Sequence, residues 1–276
     1  MPAARAQEAI GAVFGEGAQG VELCDSETGG AAPGWVRVRS WHPAETDATA
    51  LRARLTAQLG DGVEIHFATD DNPWQAGLVS AEARLIGAGF AIVEADETPV
   101  PAGRRALRIA AGSAFGEGAH PTTALCVEAL EAWRAAHAPP PSALDVGTGT
   151  GVLALVVVAL GVPRVRAIDI DGLARAAARR HAAQNGMAEH IAVAETLPPV
   201  QETQGLIVAN LPPGPLLALS AEMRARLAPG GALIVSGFAT AQIEAITAAF
   251  APLAATAQAT RDGFACLVLT SPEEAC

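Results

Sequence analysis

The chain has 276 residues, half of them hydrophobic and 17% charged, and 29 acidic against 18 basic side chains leave a net charge of −11. That length and apolar content exclude a disordered chain and suffice for one large or two modest folded domains. The acidity disfavours a nucleic-acid partner and favours a basic protein one. No uncharged apolar run of about 18 residues marks a membrane span, and the stretch around Glu8 and Gly11 lacks a basic-then-apolar leader pattern, so a cytoplasmic protein without a membrane partner is expected.

In chain order, Ala6, Ile10, Val13 and Phe14 share one helical face and predict a short helix over residues 3 to 14. Residues 20 to 24 and 35 to 41 read as strands, the second because Val36 and Val38 alternate with Arg37 and Arg39. The Gly-, Ala- and Pro-rich stretch 27 to 34 joins them as a turn. Leu51, Leu55 and Leu59 predict a helix over 45 to 59, and 63 to 67 is a further strand. This α-β-β-α-β order predicts a small α+β domain of the ferredoxin-like kind over residues 1–95. It holds no acid/base or nucleophile cluster, so its functional reading is substrate recognition. Asp70 to Trp74 form a turn into a predicted helix over 74 to 85, followed by a strand over 90 to 94. The Pro- and Gly-bearing stretch 96–106 is the expected linker, and 107–276 the second domain.

The second half carries the chemistry. Ala143 to Val146 is a buried-strand run holding Asp145. It breaks at Gly147, Gly149 and Gly151 and resumes as the apolar helix 152 to 160. Strand, glycine turn and helix form the place where an α/β sheet holds a nucleotide-like ligand, because a Cβ would block close approach of the backbone. Asp145 can orient that turn or meet a cationic group. The strand 165 to 168 ends in Asp169, roughly 20 residues further on, where a carboxylate can accept both hydroxyls of a ribose. The strand 206 to 210 ends in Asn210 before Leu211-Pro212-Pro213. Upstream, Phe115, Gly116 and Gly118 lie in a pliable loop, and Thr122 and Thr123 place hydroxyls at the start of a helix over 124 to 133. His120 before Pro121 reads as a loop-structuring residue, with an active-site base as the alternative. Helices are further expected over 173 to 185, with Arg175, Arg179 and Arg180 on a solvated face, and over 216 to 227 and 241 to 250. Strands are expected over 232 to 236 and 264 to 270. Cys24, Cys126, Cys266 and Cys276 show no Cys-x-x-Cys spacing and read as reduced structural thiols. The six histidines have no ligand spacing either, so no metal is expected.

Asp-x-Gly-x-Gly-x-Gly, a second strand-end acid and a later strand-end Asn together resemble the class I S-adenosylmethionine-dependent methyltransferases. A nicotinamide-binding turn would instead read Gly-x-Gly-x-x-Gly. The loop Phe-Gly-x-Gly-x-His-x-Thr-Thr (Phe115 to Thr123) and the run Val208-Ala209-Asn210-Leu211 make the likeness specific: the chain resembles the PrmA-type protein lysine methyltransferases. Those act on ribosomal protein L11, and close relatives act on the β subunit of electron-transfer flavoprotein. The resemblance implies a Rossmann-like seven-stranded catalytic domain using S-adenosylmethionine and a small amino-terminal recognition domain. It also implies that Asp145, Gly147 and Gly149 cradle the methionine part, with Phe115 in the loop folded over the cofactor. Asp169 would hold the ribose, Thr196 the adenine, and Thr123 and Asn210 would lie near the methionine amino group and the incoming nucleophile.

Two positions depart from the family pattern. Glu117 stands where the loop usually carries Thr, and Pro212-Pro213 follow Asn210, a drift toward the Asn-Pro-Pro-Tyr of enzymes that methylate amides or exocyclic amines. The competing readings are transfer to the flavoprotein subunit, to a glutamine or to a small molecule, then a silent cofactor- or protein-binding module, and last nicotinamide-dependent reduction.

Overall fold

The structure, a computed structural model, describes residues 2, 5–16, 18, 20–24, 35–42, 46–60, 82–94, 98–110 and 120–271. The chain divides into two compact units, Met1–Pro73 and Trp74–Cys276.

Described residues of the first unit follow the expected α-β-β-α order. Helix α1 spans Ala6–Gly15, strands β1 (Gly20–Cys24) and β2 (Arg37–Trp41) pair antiparallel, and helix α2 spans Ala48–Leu59. Asp47 starts α2 three residues later than expected, its carboxylate accepting the Thr49 and Ala50 N–H groups and so satisfying two donors that a helix start leaves unpaired. Leu51, Leu55 and Leu59 are buried, and Leu51 and Leu55 pack with Val13. The strand expected over 63 to 67 lies outside the described residues.

The second unit starts with three short strands that the sequence reading divided differently. β3 (Arg84–Ile86) occupies the end of the predicted helix 74–85, whose residues up to 81 lie outside the described set. β4 (Phe90–Val93) pairs antiparallel with β3 and parallel with β5 (Arg105–Arg108). The strand pair β4–β5 therefore crosses the expected linker 96–106, and the compact units part at Pro73/Trp74 instead. Turn glycines and prolines around 99–103 mimic a linker, because they serve a parallel connection equally well. Helix α3 (Pro121–Ala136) anchors this sheet, its Glu131 carboxylate accepting the Ala88 and Gly89 N–H groups at 2.8 and 2.6 Å. Glu131→Ala is expected to destabilise this unit by about 1–3 kcal/mol, since two backbone donors lose a charged acceptor; chemical denaturation measures it.

The large sheet contains seven strands in the order β11-β12-β10-β9-β6-β7-β8. Its members are β6 (Ala143–Val146), β7 (Val165–Ile168), β8 (Ile191–Ala194), β9 (Gln204–Asn210), β10 (Leu227–Ala239), β11 (Ala254–Arg261) and β12 (Phe264–Thr270). All described pairings are parallel except those of β12 with β10 and β11. Helices α4 (Val152–Ala159) and α5 (Gly172–Gln184) connect β6, β7 and β8. Strand residues alternate between two cores: Leu206, Val208, Ala232 and Ile234 face α3 and α4, whereas Ile207, Ala209, Leu233 and Val235 face the opposite side. Burial on both faces is why these strands read as continuous apolar runs, each large side chain contributing about 1.5–3 kcal/mol.

Three elements differ from expectation. The helix predicted over 216 to 227 is two short ones, α6 (Pro213–Ala218) and α7 (Ser220–Ala225), with Leu227 already in β10. Helix α8 (Ile243–Ala249) starts after a 3-10 turn, two residues later than expected. β11 was not legible at all, because every one of its residues is exposed and no apolar alternation marks it. Among the described residues no helix is long and apolar enough to cross a membrane.

Candidate active site

Strand order reverses between β6 and β9, the switch point at whose carboxyl edge open α/β sheets bind ligands. The polar residues that end the parallel strands gather along this edge: Asp145 in β6, Asp169 after β7, Asn210 closing β9 and Ser236 in β10. Period-two alternation turns them toward the α3/α4 side of the sheet.

The turn after β6 is held from beneath. Asp145 is fully buried, and its Oδ2 accepts the Thr148 hydroxyl at 2.6 Å and the Ala154 N–H at 3.1 Å. From above, Gly147 and Thr148 donate to the Ile168 carbonyl, and Gly149 donates to Asp169 Oδ2 at 2.9 Å. Left-handed φ values of +76°, +52° and +85° at Gly147, Gly149 and Gly151 explain the three glycines. A Cβ on Gly147 would also overlap Leu211 Cδ2. Desolvation raises the Asp145 carboxyl to about 7, against the lowering effect of its Thr148 and Ala154 hydrogen bonds and with a small further rise from Asp169.

Asn210 donates from Nδ2 to Thr123 Oγ1 at 3.3 Å, joining β9 to the first turn of α3. Thr123 is fully buried. The buried Asn210 Oδ1 and Asp145 Oδ1 have no hydrogen-bond partner among the described residues. Asp169 is half-buried, each oxygen already accepting one backbone N–H, from Gly149 and from Asp171. Thr196 is exposed just beyond β8. Phe115, Gly116, Glu117 and Gly118 lie outside the described residues.

His120 caps α3: its Nδ1 lies 2.7 Å from Thr122 Oγ1 and accepts the Thr122 N–H, and its ring stands edge-on to Phe264. The cap is thus the histidine and not either threonine. Arg175 also differs from the solvated face expected of it. Its guanidinium donates to the Asp169 and Ile170 carbonyls and pairs with Glu195 at 3.0 Å, bracing the loop after β7 against the end of β8. Cys126 and Cys266, remote in sequence, are buried free thiols, and the neighbouring Cys266 thiol, with burial, pushes the Cys126 thiol up. Such thiols are inert.

A seven-stranded sheet with one antiparallel strand, a glycine turn at its switch point and acidic and amide strand ends defines the class I methyltransferase fold. The description of ribosomal protein L11 methyltransferases (PrmA) matches residues 7–271. A Brucella abortus ribosomal protein L11 methyltransferase is 37% identical over 240 residues, 82% of each chain. One from Symbiobacterium thermophilum is 34% identical over 229 residues, 79% of this chain and 74% of that one. The crystal structure of ribosomal protein L11 methylase from Lactobacillus delbrueckii subsp. bulgaricus aligns with TM-score 0.63 and 31% identity, covering 70% of this chain and all of that one. The chain belongs to the PrmA family of S-adenosylmethionine-dependent methyltransferases. The site's own chemistry fits that cofactor: two buried acceptor oxygens without donors among the described residues, Asp145 Oδ1 and Asn210 Oδ1, suit the amino end of a methionine and an incoming amine in turn.

Proposed function

We propose that this enzyme methylates amines of ribosomal protein L11, lysine side chains foremost, in the cytoplasm. The observation that carries the reading is the Asn210–Thr123 pair at the switch point, with Asn210 Oδ1 lacking a donor. Bound at the glycine turn, S-adenosylmethionine supplies an electrophilic methyl group on a sulfonium. Asp145, through Thr148 and Ala154, shapes the turn for the methionine part, with Gly147 and Gly149. Asp169 retains acceptor capacity for the ribose hydroxyls, and Thr196 serves the adenine side; Phe115 belongs to the same cofactor set.

Thr123 sets the Asn210 amide by accepting from Nδ2, which leaves Oδ1 to accept a hydrogen bond from the incoming amine and aim its lone pair. A lysine amine, with an ordinary pKa of about 10.4, attacks only after losing its proton. Positioning therefore carries most of the rate. The names of the relatives support the ribosomal substrate, and the net charge of −11 suits a basic protein partner, with the first unit as its recognition module.

The test is transfer of labelled methyl groups to L11 protein isolated without its methylation. Wild type is expected to label it, and Asn210→Ala to lower kcat by about 10²–10³-fold, with S-adenosylhomocysteine affinity changed only a few-fold. The enzyme contains no lysine, so label on lysine cannot come from the enzyme itself. Label on the flavoprotein subunit, on a glutamine or on a small molecule would replace the acceptor and keep the chemistry.

A further inference from the structure

One face of α5 is committed to the glycine turn and to β5. Ala178 packs on Gly151, where a Cβ would come within 3.2 Å of Ala178 Cα. One turn further on, the fully buried His181 reaches two separate elements. Its Nδ1 lies 2.8 Å from the Thr150 carbonyl in the glycine turn, and its Nε2 accepts the Ala110 N–H, just past β5, at 3.2 Å. After another turn Asn185 takes both backbone groups of Arg108, accepting its N–H and donating to its carbonyl, each at 2.8 Å.

These contacts complete a ladder. Arg105 donates to the Gly89 carbonyl just before β4 and Ile109 to the Val93 carbonyl at its end, while Arg108 and Ala110, out of phase with them, face away from β4. Along that edge, His181 of the helix and its C-cap Asn185 bond to backbone groups that a further strand would take. The partners also dictate the imidazole's state. A carbonyl takes only a donor and an amide N–H needs a lone pair, so Nδ1 carries the proton and Nε2 is bare. The Arg180 guanidinium, 3.4 Å from Nε2, is a second donor aimed at it.

We propose that His181 is a positioning residue for the cofactor turn: neutral, it ties the Thr150–Gly151 peptide to Ala110, and protonation at Nε2 breaks that tie and weakens cofactor binding. The proposal rests on the methyltransferase reading of the turn. Burial, with the Arg180 charge, holds this imidazole below its ordinary range, against the raising effect of the Thr150 hydrogen bond. The other charged groups on the elements around it are Arg105 and Arg108 on β5, with Asp145 and Asp169 flanking the turn. Because the folded-state pKa is depressed, the unfolded chain takes up the proton first. Stability is complete above about 6.5 and declines as pH falls through the unfolded and then the folded value, whereas binding by the folded protein declines only as pH falls through the folded value.

The experiment combines calorimetric titration of S-adenosylhomocysteine into wild type, His181→Asn and His181→Phe between pH 5 and 8 with long-range ¹H–¹⁵N histidine spectra. Wild type is expected to show the Nδ1–H tautomer at pH 7 and to lose affinity on the acid side. His181→Asn, which keeps a donor and an acceptor but cannot titrate, should stay within a few-fold at pH 7.5 and lose that acid-side step. His181→Phe should bind about tenfold more weakly at every pH. Asp145 titrates in every variant, so the difference between wild type and His181→Asn isolates the imidazole. An Nε2–H tautomer or an imidazolium at pH 7, or an acid-side step unchanged in His181→Asn, overturns the inference. If His181→Phe does not fold, the spectra and His181→Asn decide. Failure of wild type to bind the ligand at pH 7.5 would instead overturn the reading of the turn, while the spectra still judge the tie.

Discussion

Gly237→Ala is expected to abolish methyl transfer and to destabilise the catalytic unit by about 2–5 kcal/mol, the sum of left-handed strain and overpacking. Gly237 has φ +96°, and a Cβ there would overlap the Leu211 carbonyl oxygen and stand 2.6 Å from its carbon and 2.8 Å from its nitrogen. All three are backbone atoms, so no rotamer change relieves the contact. Relief requires moving Leu211, and with it Asn210, the neighbour whose amide meets Thr123. Gly147→Ala supplies the comparison. There the obstructing atoms belong to the Leu211 side chain, which can rotate, so the packing cost is smaller at similar backbone strain. Urea unfolding of the two variants should rank Gly237→Ala as the more damaging; equal or reversed losses would show that Leu211 yields as a whole.

Asp145→Asn is expected to do the opposite to stability. A carboxyl group raised to about 7 when folded, against about 3.9 unfolded, is protonated in the folded state over the interval between those values. Folding therefore binds a proton there, so stability is highest below about 4 and declines as pH rises through about 7. The loss is on the order of 4 kcal/mol at pH 8. Its physical source is desolvation, with Oδ1 lacking any donor among the described residues. Asparagine keeps an acceptor for Thr148 and Ala154 and carries no charge. The variant should lose the stability slope between pH 4 and 8 and exceed wild type in urea midpoint at pH 8. It should also bind S-adenosylhomocysteine more weakly, because an amide nitrogen then occupies the position of the orphaned acceptor. A wild-type stability that is flat across this interval would overturn the account.

What could be read from the chain follows from the range of the forces involved. The glycine turn, Asp145, Asp169 and the apolar strands were legible because backbone sterics and two-sided burial act within a few residues. β11 was not, because a wholly exposed strand of Ala, Thr, Gln and one Arg owes its form to pairing with β12. The helix expected over 216 to 227 failed for a related reason: Leu227 is claimed by pairing with Gln204 in β9, which ends the helical run early. The β4–β5 pairing likewise turned an apparent linker into part of the second unit.

The sequence by itself determined the class of fold, the switch-point turn and, through its resemblance, the family and the cofactor. Tertiary structure alone decided that Asn210 meets Thr123 and that Cys126 lies against Cys266. It also made His120 a helix cap and placed His181 between the turn and β5. These contacts join residues distant along the chain, and only sheet register and helix packing set which side chains meet.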